Sequence, residues 1–205
     1  NLGGASGSIA AQKVLTAASD GYTLFQGSPN EVILAPLAMT GVKYKAEDFR
    51  LVQMIGVSQL VMIVRGDLPV KTIDDVVALA RSAPKDKPLT YGSVGIGSFY
   101  HVLGEHMAQT IGAPMTHVPY KGGTPAMIDT IGGQTQVLCT SVTNAAPFIK
   151  QGRIRGIGVT PIKRSAVLPD LPTLDEQGLK GYDVSQWMGI FAPAKTPPAV
   201  VQRLY

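Results

Sequence analysis

Residues 89–126, LTYGSVGIGSFYHVLGEHMAQTIGAPMTHVPYKGGTPA, constrain the fold more than any other stretch, because they read twice as the same unit. Each copy is a short strand, a glycine-rich turn and a helix start. The first turn is Gly92-Ser93-Val94-Gly95-Ile96-Gly97-Ser98, followed by a helical pattern over 99–111. The second is Tyr120-Lys121-Gly122-Gly123-Thr124-Pro125, followed by a helical pattern over 126–131. A glycine turn closed by Ser or Thr at a helix start leaves several backbone N–H groups unpaired beside the positive end of the helix dipole. Such a turn binds anions without a basic side chain. Two of them in succession are placed to converge on one small anion.

The remaining chain fits an α/β frame. A helical pattern over 9–18 follows the glycine-rich opening, Asp20-Gly21 signals a turn, and 22–25 reads as a short strand. Gly27-Ser28-Pro29-Asn30 is a further polar turn, and because Ser and Asn both cap helices it is either a third anion site or a cap serving its own helix. Residues 49–64 read as two apolar strands joined near Ser58. Thr72 reads as the N-cap of a helix with Asp74 and Asp75 in its first turn. Strands at 137–140, 154–160 and 187–193 alternate with helices at 144–150, 174–177 and from Pro198 onward. This alternation implies largely parallel sheets.

Composition removes several classes of function. The 205 residues, 45% hydrophobic and 16% charged, suffice for one large or two small packed domains. The 18 Lys and Arg are scattered, which disfavours nucleic acid as a partner. The apolar stretch 51–64 is too short for a membrane span and is broken by Gln53, Ser58 and Gln59. Cys139 lies in an apolar run and reads as a small buried hydrophobe. The chain begins with Asn1, so it is silent about targeting.

Catalytic motifs match poorly. Gly95 and Gly97 begin a dinucleotide fingerprint whose third glycine is Tyr100, and Lys121 precedes its glycines, the reverse of a P-loop. Ser98 and His101 share a helical face, which keeps a Ser/His hydrolase as an alternative, although no orienting acid follows from spacing. His101 and His106 are five residues apart, off the face-sharing spacing, so neither metal nor other cofactor is expected. Glu105 and Asp129 read as solvated. Lys121 either reaches an anion or decorates a loop, and Trp187 either walls a cleft or fills core.

The blocks SVGIGSFYH, HVPYKGGTPA with IGGQ, IKQGRIRGIGV, LPTLDEQG and WMGIFAPAKTPP, preceded by GGASG-x-IAA and SDGYTL, resemble in order the signature blocks of the Bug family. These are the extracytoplasmic solute receptors of tripartite tricarboxylate transporters. The resemblance implies a two-domain Venus-flytrap fold of the type II periplasmic binding protein kind, with residues 1–64 plus 187–205 in one domain and 65–186 in the other. Crossings are expected near 64–67 and 186–187. It further implies a periplasmic, monomeric receptor that is not an enzyme. Such a receptor holds a small carboxylate in an interdomain cleft for membrane permease subunits, or presents its ligand state to a signalling partner.

Carried over onto this sequence, the first turn supplies Ser93, Gly95, Gly97, Ser98 and His101, and the second supplies Lys121, Gly122, Gly123 and Thr124. Ser28 and Asn30 come from the other domain, and Trp187 stands at the cleft wall. Where many relatives carry an acid after the strand following GGQ, this chain has Thr140 and Ser141, which suits an acidic ligand and disfavours one with an ammonium group. Set against the family pattern, the chain is expected to be part of a longer receptor, without the first strand and its glycine-rich anion loop.

Overall fold

The computed structural model describes residues 5–205, so most of the glycine-rich opening lies outside the described residues. Among the described residues there are seven strands and seven α-helices, and the Cα framework divides them into two units. The first ends at Val57 and takes in Gly97–Phe99 and Gln186–Tyr205; the second comprises Ser58–Ile96 and Tyr100–Ser185.

The first unit contains α1 (Ser8–Leu15), β1 (Phe25–Gly27), a π-helical turn at Asn30–Leu34 running into α2 (Ala35–Ala38), the first half of β2 (Phe49–Arg65), β7 (Ser185–Pro193) from Gln186 onward, and α7 (Pro198–Leu204). β1 pairs antiparallel with β7, Phe25 opposite Phe191. Its core is aromatic: Phe49 lies 5.6 Å from Phe25, 5.5 Å from Tyr44 and 6.2 Å from Phe191, the last two edge-on.

The strand expected at 22–25 forms instead at Phe25–Gly27. The Asp20 carboxylate accepts the Tyr22 N–H at 3.0 Å, which holds Tyr22 in the turn. The helix expected to reach residue 18 stops at Leu15, where the Thr16 hydroxyl donates back to the carbonyls of Gln12 and Lys13. The two strands expected across 49–64 are one 17-residue strand, β2, with the division between units falling between Val57 and Ser58. Neither Gly56 nor Ser58 breaks it, and from Leu60 onward β5 and β6 take up its hydrogen bonds.

The second unit is a five-stranded sheet of the second half of β2 with β3 (Leu89–Ser93), β4 (Met115–Pro119), β5 (Val137–Ser141) and β6 (Ile154–Val159), in the order β6-β2-β5-β3-β4. The sheet is mixed and not largely parallel as expected: β2 is antiparallel to β5 and β6, whereas β3 is parallel to both β5 and β4. Leu60, Val61, Met62, Ile63 and Val64 are all fully buried. Such a run marks a strand covered on both faces, and each side chain contributes about 1.5–3 kcal/mol. Val61 and Ile63 pack with Ala126 and Met127 of α5 (Gly123–Gly132) and with Val142, Ala145 and Ala146 of α6 (Val142–Lys150). Leu60, Met62 and Val64 face the opposite side.

The unit's helix starts follow sequence closely. α3 (Ile73–Ser82) has the expected Thr72 cap: the Thr72 hydroxyl accepts the Asp75 N–H at 3.2 Å and the Asp75 carboxylate accepts the Thr72 N–H at 3.0 Å. α4 is Phe99–Thr110. α5 begins at Gly123 and α6 at Val142, earlier than the patterns suggest, and α6 does so because Ser141 caps it through the Asn144 N–H at 3.3 Å. The helix expected at 174–177 is a single turn, in which Thr173 and Glu176 bond reciprocally. Gln177 at its end ties the Ile73 N–H to the Ile157 carbonyl, joining α3 to β6.

Candidate functional site

In the second unit the two glycine turns are neighbours because their strands are. β3 and β4 run parallel in the register Tyr91↔His117 and Ser93↔Pro119, and the Tyr120 N–H donates to the Ser93 carbonyl at 2.9 Å. β5 lies parallel on the other side of β3, with Gly92 opposite Leu138, and ends at Ser141. Three strand ends, β5-β3-β4, thus open side by side into the starts of α6, α4 and α5. In open α/β sheets, ligands bind at the carboxyl ends of the strands.

The first turn is held from inside. Ser93 is fully buried, and its hydroxyl lies 2.6 Å from His117 Nε2 while accepting the Gly95 N–H at 3.1 Å. Gly95, at φ 131°, and Gly97, at φ 74°, occupy backbone conformations that suit glycine. His117 is sandwiched between Tyr91, at 5.1 Å, and His101, at 4.0 Å. The Tyr91 hydroxyl donates to Glu105 Oε1 at 2.5 Å, and His101 Nε2 lies 3.9 Å from the same oxygen. Burial, then His101, depresses the His117 pKa, with Glu105 opposing. Glu105 is therefore part of a network and not merely solvated. His117, Tyr91 and Glu105 were missed by sequence reasoning, because only the parallel register of β3 and β4 brings Tyr91 and His117 together.

The second turn is open. Gly122, at φ 144°, is the N-cap residue of α5 and no side chain caps the helix. Lys121, Gly123 and Thr124 are exposed, and Lys121 forms no ion pair among the described residues. The N–H groups of Gly123 and Thr124 occupy the first turn of the helix, where no intrahelical acceptor exists. Pro125 follows them and has no N–H to leave unsatisfied. Thr140 is buried at the end of β5, and Ser141 is engaged as the α6 cap.

In the first unit, Ser28, Asn30, Gly97, Ser98 and Trp187 are placed as follows. The Ser28 N–H and hydroxyl both donate to Glu31 Oε2, at 2.9 and 2.7 Å, and the Ser28 oxygen accepts the Asn30 N–H at 3.2 Å. Ser28 is thus a reciprocal cap whose partner carboxylate already supplies the negative charge, which favours the capping alternative over a third anion site. Asn30 clamps two segments: its amide donates to the Ser6 carbonyl at 3.1 Å, and its oxygen accepts the Phe99 N–H at 2.8 Å. That bond satisfies one orphan donor of α4 beside Gly97 and Ser98. Ser98 is fully buried, which removes its hydroxyl from reach of a substrate in a Ser98/His101 hydrolase. Trp187 packs 5.8 Å from Phe191 in the aromatic core cluster. Cys139 is buried, its thiol pushed up to about 12 by burial.

Comparison with known proteins identifies the family and the fold. The family model described as the tripartite tricarboxylate transporter family receptor matches residues 1–205. A UPF0065 protein from the TAR-I ttuE-ttuC' intergenic region of Agrobacterium vitis is 36% identical over 204 residues, 100% of this chain and 58% of that protein. The periplasmic binding protein BugD is 33% identical, with a TM-score of 0.88 over 98% of this chain and 67% of that one. R. palustris Rpa4515, solved with adipate, is 33% identical, with a TM-score of 0.91 over 98% and 67%. The first curated relatives are longer, and the chain spans 58–60% of their length. A match over the whole chain, with the fold of BugD, assigns the sequence: it belongs to the family of tripartite tricarboxylate transporter receptors.

Proposed function

We propose that this chain is the solute-capturing part of a periplasmic receptor that binds a small organic carboxylate, in first place a dicarboxylate, and delivers it to a tripartite tricarboxylate transporter permease. The observation that carries the reading is the open, uncapped start of α5, with Lys121 beside it, at the ends of three parallel strands. An acid oxygen there accepts the Gly123 and Thr124 N–H groups while Lys121 supplies the countercharge. Each charge-assisted bond contributes about 1.5–3 kcal/mol, so a few of them, less the cost of ordering the ligand, reach the roughly −8 kcal/mol of micromolar binding.

The sequence candidates divide by role in this reading. Gly122, Gly123, Thr124 and Lys121 contact the acid. Ser93, Gly95, Gly97, Ser98 and His101 shape the first turn; Ser28, Asn30 and Ser141 hold helix starts, and Trp187 supports the first unit. The two units, divided between Val57 and Ser58 and not near residues 64–67, act as the two lobes of the receptor. Adipate in Rpa4515 supports the ligand class. No helix among the described residues is long and apolar enough to cross a membrane.

The test is isothermal titration of the protein with succinate, adipate and terephthalate, beside an assay for hydrolysis of their methyl esters. Saturable binding without turnover supports the reading. Ester hydrolysis, or binding that Gly122→Ala and Lys121→Met both leave unchanged, overturns it.

A further inference from the structure

In the second unit, β4-α5-β5 and β5-α6-β6 are successive crossovers between parallel strands: β4 and β5 both run with β3, and β5 and β6 both run against β2. A helix in such a crossover returns against its strands, so α5 and α6 run in the same direction, and both pack on the same core cluster. Their starts lie at the open strand ends. Arg153, which follows α6 and precedes β6, lies at the other end of the pair. Between the helices is a recess of about 480 Å³, within the roughly 300–1,000 Å³ of small-molecule sites. Gly123 and Thr124 line it at the acid site, Arg153 lines its far end, and Ile128, Ile131 and Phe148 make an apolar wall between. The recess is thus a continuation of the acid site.

The continuation offers more than a short acid can use. Ile128 is 61% exposed although it shares the recess with Ile131 and Phe148, which leaves apolar surface for a ligand to cover. The guanidinium carbon of Arg153 lies 5.5 Å from the centroid of the Phe148 ring, and Arg153 forms no ion pair among the described residues. An arginine stacked on a ring still offers its N–H edge to a carboxylate. From Gly123 to Ile131, α5 is about 12 Å long at 1.5 Å per residue. Suberate, extended, approaches that length, and succinate reaches less than half of it.

We propose that the recess makes the acid site selective for length, taking a linear dicarboxylate of about the length of suberate, with Arg153 as the residue that reads the second acid. This rests on the receptor reading above, in which the first acid occupies the start of α5 beside Lys121. The methylenes between the acids cover Ile128, Ile131 and Phe148, and each one that leaves water strengthens binding by up to about fourfold. The second carboxylate meets the N–H edge of Arg153 at the surface, where an ion pair adds up to about fivefold. A short diacid engages only the start of α5 and leaves both the wall and Arg153 in water.

The experiment is calorimetric titration of the protein with succinate, adipate, suberate and dodecanedioate, and with octanoate as a chain of suberate's length that carries a single acid. Affinity should rise from succinate through adipate to suberate and rise no further at dodecanedioate, which overshoots Arg153. Suberate should exceed octanoate about fivefold. Arg153→Gln should bring suberate down to octanoate, and Ile128→Ser should narrow the suberate-to-succinate ratio about threefold. Such ratios are insensitive to a loss of folded protein. Succinate as tight as suberate, or affinity still rising at dodecanedioate, overturns the length selection and leaves the receptor reading standing. A suberate affinity indifferent to Arg153→Gln overturns it as well. Binding of no diacid at all overturns both readings.

Discussion

Gly104→Ala sets two effects against each other at a position where the geometry decides the sign. Gly104 lies in the middle of α4, where alanine is the better helix former by about 1 kcal/mol. An added Cβ would stand 2.1 Å from Tyr91 Cε2 and 2.5 Å from Cδ2, so the ring would have to retreat by about 1.3 Å to reach ordinary contact. It has little room to do so. Tyr91 is 3% exposed, stacks on His117 at 5.1 Å and is anchored through its hydroxyl to Glu105. Overpacking of this kind costs about 1–3 kcal/mol. Net destabilisation of up to about 2 kcal/mol is expected, a fall in Tm of up to about 8 °C for a chain of this size. Thermal melts followed by circular dichroism read it directly, and the same substitution in a Tyr91→Leu background should be neutral or stabilising. A rise in Tm in the otherwise unchanged protein would refute the reasoning, since propensity would then outweigh the contact.

His117→Gln tests the network by pH. Because the folded chain holds the His117 proton less readily than the unfolded chain, stability is full above about pH 6.5 and falls as pH drops below it. The variant should flatten Tm against pH between about 7 and 5, and an unchanged slope would count against the assignment. The carboxylates of Asp75, Asp175 and Glu176, held low by backbone N–H bonds, act in a separate, more acidic window. Thr72→Ala should cost about 1 kcal/mol in urea denaturation, with faster amide exchange confined to the start of α3. Gly122→Ala meets no atom within 4 Å of the new Cβ, so its cost, about 1–3 kcal/mol, comes from φ alone. It should weaken dicarboxylate binding about tenfold with the core unaltered, and equal losses of Tm and affinity at a core control would argue against a local effect. Native Cys139 should resist iodoacetamide until the protein is unfolded, because burial holds the thiol protonated.

What was legible in the sequence depended on how local its cause was. The Thr72 cap was readable because Thr72 and Asp75 are three residues apart and satisfy each other. The glycine turns were readable because positive φ at Gly95, Gly97 and Gly122 needs that residue type. The unbroken run of β2 was not, because Gly56 and Ser58 look like a break and the partners of the strand beyond them, β5 and β6, are distant in sequence. The β1 shift turned on a single side-chain bond from Asp20. For the candidate residues, Ser28 and Asn30 were singled out for their capping chemistry, but what they cap, and that Asn30 reaches Phe99 far along the chain, required the fold.

The Ser93–His117 pair shows why side-chain motifs are a poor guide to this kind of site. A serine 2.6 Å from an imidazole nitrogen would, on a surface, be a candidate nucleophile. Here the serine is fully buried, its oxygen already accepts the Gly95 N–H, and the imidazole is covered on both faces and biased toward its neutral form. Nothing is left exposed to attack a substrate. The same contacts do fix the conformation of the first glycine turn, so this chemistry is spent on holding backbone in place. At the second turn the groups left unsatisfied are themselves backbone N–H groups. A site built from peptide donors carries no side-chain signature beyond the glycines that permit its shape. Changes in those glycines, or in the buried residues that brace them, should therefore alter ligand capture more than changes in the polar side chains around it.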